Sequence, residues 1–115
     1  MLKILELFKQ CKIIKSYEVL DLKTGTETIY YKIKAFLVDE SVLFVTEFIS
    51  QDNIVYSYHW QDENGVLIRR WDNAPYHKVE TFPHHVHIKD KIEPSFEIDI
   101  ASILTIIENL ISLSK

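Results

Sequence analysis

The chain has 115 residues, of which 47% are hydrophobic and 26% charged, with only two glycines and three prolines. That composition excludes a disordered or fibrous chain and predicts one domain, residues 1–115, with a core of its own. The formal net charge of −4 argues against a general nucleic-acid coat, and the single cysteine excludes an internal disulfide framework and fits a reducing compartment.

No apolar run approaches the roughly 20 residues of a membrane span. Lys3, Glu6 and Lys9 interrupt the opening residues, so a signal peptide is not expected and a cytoplasmic, membrane-free protein is. Leu2, Leu5, Phe8 and Cys11 recur at helical spacing and predict a short amphipathic helix over 2–12. Cys11 reads as a buried, inert thiol, since no histidine or basic pair flanks it closely.

From Ile13 the period changes to two. Residues 13–22 predict a first strand and Lys23-Thr24-Gly25-Thr26 a turn. Residues 27–39 predict a long second strand with Tyr31, Ile33, Ala35 and Leu37 on one face. Tyr30, Phe36 and Val38 on its other face suggest partial cover on both sides. The third strand, VLFVTEFIS, is almost continuously apolar and reads as central.

The fourth strand carries Ile54, Tyr56, Tyr58 and Trp60 on one face and Val55, Ser57, His59 and Gln61 on the other. Asn64-Gly65 is a strong hairpin signal before the fifth strand, VLIRRWD. Residues 98–113 return to helical spacing, with Ile100, Ile103, Leu104, Ile107, Leu110 and Ile111 in one stripe and Asp99 as N-cap. Short turns between successive strands mean antiparallel pairing. The expected fold is therefore α+β: a five-stranded antiparallel meander sheet packed by N-terminal and C-terminal helices.

Between the fifth strand and the last helix lies RRWDNAPYHKVETFPHHVHIK, with four of the five histidines. A long connection rich in His, Arg and aromatics is where a small domain usually keeps its function. From Arg69 to Lys91, Arg69, Arg70, Lys78, Lys89 and Lys91 outnumber Asp72, Glu80 and Asp90, so a basic segment sits on an acidic body and suits an anionic ligand. If Val66 and Ile68 face the core, Arg70 ends that face and Arg69 points with Trp71. The Asn64-Gly65 hairpin brings His59 near one of the two arginines.

Asp72 and Asn73 read as turn formers before Pro75, and Asp72 is also suited to orient an imidazole. Two imidazoles can serve as general acid and base, and an arginine as phosphate contact, for RNA cleavage through the 2′-hydroxyl. In extended chain His85 and His87 share one side and His84 the other, so only two of these three easily meet one metal. No metal or other cofactor is expected. Trp71, Tyr76 and Phe82 are placed to stack on bases or to anchor the loop, and anchoring is preferred for Phe82.

The order of a meander, LIRRWDNAPYH, a short spacer, TFPHHVH and a C-terminal helix resembles the TumE-like toxin family. The match lies at Asp72, Asn73, Ala74, Pro75, Thr81, Phe82, Pro83, His84, His85 and His87. It departs at Tyr76, where histidine is as frequent in the family, while His77 is kept. The resemblance implies the toxin of a two-gene toxin–antitoxin module with a small helix-turn-helix antitoxin as partner.

Residues and resemblance together predict a small metal-independent ribonuclease. His77, His84, His85 and His87 are its catalytic candidates. Arg69, Arg70, Trp71, Asp72 and Asn73 are its RNA contacts. A non-enzymatic module partnering a helix-turn-helix regulator and a His-ligated metal-dependent enzyme are the alternatives, and a homodimer is left open.

Overall fold

Alternation of apolar and polar residues in the middle of the chain builds one sheet, and the computed structural model describes it within residues 3–113. Helix α1 (Lys3–Gln10) leads into strands β1 (Ile14–Gly25), β2 (Thr28–Leu37), β3 (Val42–Ser50), β4 (Asn53–Gln61) and β5 (Leu67–Asp72). Strands β6 (His85–Ile88) and β7 (Lys91–Pro94) and helix α2 (Ile100–Leu113) follow. The strands lie in chain order, β1 to β7, and every neighbouring pair is antiparallel.

The sheet thus has seven strands, not the five expected. The additional hairpin lies within and just beyond the segment read as a loop. His85-Val86-His87-Ile88 alternates like any strand, and Lys89 and Asp90 turn the chain. Lys89 adopts φ 57°, a left-handed conformation usually given to glycine or asparagine, so the turn carries no sequence signal. The first hairpin also runs further than expected, with strand pairing through Gly25 and Thr28.

One face of the sheet is apolar and both helices lie on it. Tyr31, Ile33, Ala35 and Leu37 of β2 join Leu43 and Val45 of β3, Tyr56, Tyr58 and Trp60 of β4, Trp71 of β5 and Val86 of β6 in one core. Ile4 and Phe8 of α1 and Ile100, Ile103, Leu104, Ile107 and Ile111 of α2 complete it. Leu2, expected in the first stripe, lies outside the described residues. Cys11, expected to be buried, is only half-buried beside the core. Tyr30 and Phe36 on the far face of β2 are half-buried and Val38 is exposed.

Asp99 caps α2 as anticipated: its Oδ1 accepts the Ser102 N–H at 2.9 Å, and that bond holds its carboxyl below the usual carboxylate range. Ile107, with no exposed surface, anchors the helix to the sheet. Ile107→Ala is expected to cost about 2–5 kcal/mol in urea unfolding. A loss well under 1 kcal/mol would mean the apolar stripe does not hold α2. Among the described residues no helix is long and apolar enough to cross a membrane.

A candidate site on the open face of the sheet

Neither helix lies on the opposite face of the sheet, whose residues are half-buried along most of β2 to β4. Beside β4, Arg70 and Asp72 of β5 and His85 and His87 of β6 point to it. Register pairs Arg70 with His87, Asp72 with His85, and His59 with Arg70. Four residues that a sheet must place side by side therefore form the centre of the cluster. Alternation places Arg70 on the core side if Val66 and Ile68 both face the core, but Val66 is exposed and Arg70 lies on the opposite side. A bulge between the Trp60–Arg69 and Gln61–Leu67 pairs makes Ile68 an extra residue. Ile68 still packs on the core, but Arg69 follows it to the helix side. There Arg69 lines a hollow with Trp60, Ile88 and Leu110.

Asp72 is the hub. It is buried, and its Oδ1 accepts the Ala74 N–H at 3.0 Å and lies 2.9 Å from His85 Nε2. Its Oδ2 accepts Arg70 Nε–H at 3.1 Å and lies 3.6 Å from His87 Nε2. His85 is almost wholly buried, with 1% of its surface exposed. Its Nδ1 faces the Pro83 carbonyl at 2.9 Å. A carbonyl only accepts, so Nδ1 carries the hydrogen and Nε2 is free to bind on the other side. His85 Nε2 and His87 Nε2 are 3.0 Å apart.

The third imidazole comes from the connecting segment. His77 lies edge-on to His85 and His87, with ring centroids 4.9 and 5.3 Å away. One nitrogen from each of the three rings falls within 4.8 Å of the others. Among the described residues no other trio of His, Cys, Asp or Glu converges in this way. Burial lowers the pKa of His87, with Asp72 opposing and the neighbouring rings and Arg70 adding to the effect, so its ring is held neutral at pH 7.

His59 extends the cluster toward the middle of the sheet. Its Nε2 lies 3.0 Å from Gln61 Oε1, and its Nδ1 lies 3.3 Å from Arg70 Nη1. Gln61 Oε1 only accepts and the guanidinium only donates, which defines one neutral tautomer. Burial lowers this pKa too, with Arg70 and Lys32 in the same direction. A shallow groove of about 350 Å³ opens here between Lys32, Phe44, Ser57, His59 and Arg70.

The remaining candidates lie apart from this cluster. His84 faces the helix side, where its Nδ1 lies 2.8 Å from the Tyr56 hydroxyl. Burial, with Glu97 next, raises that tyrosine's pKa to about 12. Trp71 is in the core. Asn73 ties the loop to β4: its Oδ1 accepts the Tyr56 N–H and its Nδ2 donates to the Ile54 carbonyl. Tyr76 is largely exposed, and Phe82 is partly exposed with Lys78 Nζ 5.2 Å from its ring centroid. Thr81 ties the loop, donating to the His84 carbonyl at 2.6 Å and accepting the Ser95 N–H at 2.7 Å.

Fold and site together define a small α+β protein that carries an imidazole, carboxylate and guanidinium cluster on the sheet face opposite its helices. A sequence model of the family described as Toxin TumE matches residues 4–111. The chain belongs to that toxin family. No curated protein and no solved structure matches it.

Proposed function

We propose that this toxin acts on RNA in the cytoplasm, cleaving phosphodiester bonds at the open-face cluster. We also propose that a small helix-turn-helix antitoxin neutralises it. The observation that supports the chemistry is the convergence of His77, His85 and His87 on Asp72, with Arg70 alongside. Arg70 is the phosphate contact, since its guanidinium is part-exposed and its Nη1 has only the weak 3.3 Å bond to His59. The three imidazoles activate the attacking oxygen, either by taking its proton directly or through a cation that they hold. Asp72 orients Arg70 and His85 together. An antitoxin segment lying over the open face would cover all of these groups at once.

Expressed alone, the chain should arrest growth and fragment cellular RNA. Co-expression with the helix-turn-helix protein of the neighbouring reading frame should restore both. His87→Ala should be folded and harmless. Intact RNA in arrested cells would remove the ribonuclease reading and leave a non-enzymatic toxin. Full toxicity in His87→Ala would take the cluster out of the mechanism.

A further inference from the structure

We infer that His77, His85 and His87 bind one divalent transition-metal ion of the zinc class, with an Asp72 carboxylate oxygen as the fourth donor. The inference goes beyond the RNA reading and needs only these four side chains. It differs from the metal-free chemistry expected from the sequence.

His85 is the most buried member of the cluster. Its Nδ1–H is committed to the Pro83 carbonyl at 2.9 Å, so Nε2 presents a lone pair. That lone pair faces Asp72 Oδ1 at 2.9 Å and His87 Nε2 at 3.0 Å, and Asp72 Oδ2 is 3.6 Å from His87 Nε2. Several electron-rich atoms thus point at one small region beside a buried ring. A proton placed there satisfies one of these contacts, whereas a cation satisfies all of them.

The spacing agrees. Donors about 2.0–2.1 Å from a tetrahedral zinc ion lie about 3.3 Å from one another. The distances of 2.9, 3.0 and 3.6 Å bracket that value. His77 sits on the loop between β5 and β6, with its ligand nitrogen within 4.8 Å of the others, so closing on an ion takes a small side-chain movement. His85 donating to a backbone carbonyl is the usual way a ligand imidazole is oriented from behind.

The donor set also selects the metal. Three imidazoles suit zinc, cobalt or nickel, while magnesium and calcium prefer all-oxygen shells. Three protein nitrogens and one carboxylate oxygen fill the four positions of a tetrahedral zinc ion, which can expand to five-coordinate when a substrate binds. Arg70 donates to Asp72 Oδ2 at 3.1 Å and keeps that carboxylate turned toward the rings.

The test uses untagged full-length protein, stripped with a chelator and titrated with Zn²⁺ alone by calorimetry, then with Co²⁺ by visible absorbance. One ion should bind per chain, and Co²⁺ should give the intense d–d absorption of a tetrahedral site. His77→Ala and His87→Ala should each weaken Zn²⁺ binding by at least about 100-fold, and Asp72→Asn by about 10–100-fold. His84→Ala, which keeps all four groups, should bind as wild type does. His77 lies on a loop, so His77→Ala gives an answer even if a β6 variant unfolds. Absence of one-to-one binding would overturn the inference. So would wild-type affinity in both His77→Ala and His87→Ala, or an equal loss in His84→Ala. No RNA is present, so failure to cleave RNA leaves the inference standing and failure to bind metal leaves the RNA reading standing.

Discussion

Asp72→Asn should abolish growth arrest while leaving a folded protein, with any cleavage rate falling about 10²–10⁴-fold. The substitution preserves shape, and an asparagine oxygen can still accept the Ala74 N–H that Oδ1 now receives at 3.0 Å. What it removes is the negative charge shared by Arg70 at 3.1 Å, His85 at 2.9 Å and His87 at 3.6 Å. The asparagine amide would also face the Arg70 Nε–H donor to donor, which loosens the guanidinium. The stability cost should be about 1–3 kcal/mol, since one charge-assisted hydrogen bond is lost. A thermal melt and a growth assay on the same variant separate the two effects. A folded variant with full toxicity would show that Asp72 has no part in the chemistry.

Glu47→Ala should be the most damaging substitution away from the site, at about 3–5 kcal/mol. Glu47 is buried on the core face of β3, and the hydroxyls of Tyr31 and Tyr58 both donate to it. Removing it leaves two buried hydroxyls without an acceptor and a void between the rings. The wild-type protein should show a matching alkaline weakness. Burial first, and Glu47 next, raise the pKa of both tyrosines well above the usual 10.0.

Above that pH the unfolded chain sheds protons that the native chain keeps. Stability is therefore full below pH 10 and falls as pH rises, at a slope approaching about 2.7 kcal/mol per pH unit for two such groups. Urea unfolding at pH 8, 10 and 11 checks the slope. Equal stability at pH 8 and 11, or a Glu47→Ala loss below 1 kcal/mol, would contradict this account of the buried triad.

Strand and helix periods were plain in the sequence wherever one face had to be apolar. Tyr31, Ile33, Ala35 and Leu37 are all buried, and so are five of the six residues of the α2 stripe. The reading failed where geometry departs from simple alternation. Arg69 does point with Trp71, but the bulge at Ile68 inserts one residue into β5 and Val66 is exposed, so the condition that Val66 and Ile68 both face the core fails and the two arginines take the opposite faces. The β6–β7 hairpin turns through Lys89 at φ 57°, a conformation its side chain does not advertise. Glu47 is masked by the nearly continuous apolar run of β3, although counting from Leu43 and Val45 puts it on the buried face. The opposition of His84 to His85 and His87 was legible, because it depends only on a period of two. The arrival of His77 was not, because a loop's path depends on contacts far along the chain, such as Thr81 with Ser95.

The order of the strands also sets when the site comes into being. A chain leaving the ribosome up to Asp72 already contains every residue of β1 to β5, with His59, Arg70 and Asp72 among them. It lacks all three clustered imidazoles. His85 and His87 enter last and take their places only when β6 pairs with β5, an event that also fixes Val86 in the core. The cluster is thus a late product of synthesis, and a ribosome-bound fragment ending before β6 has most of the sheet without the paired imidazoles of His85 and His87.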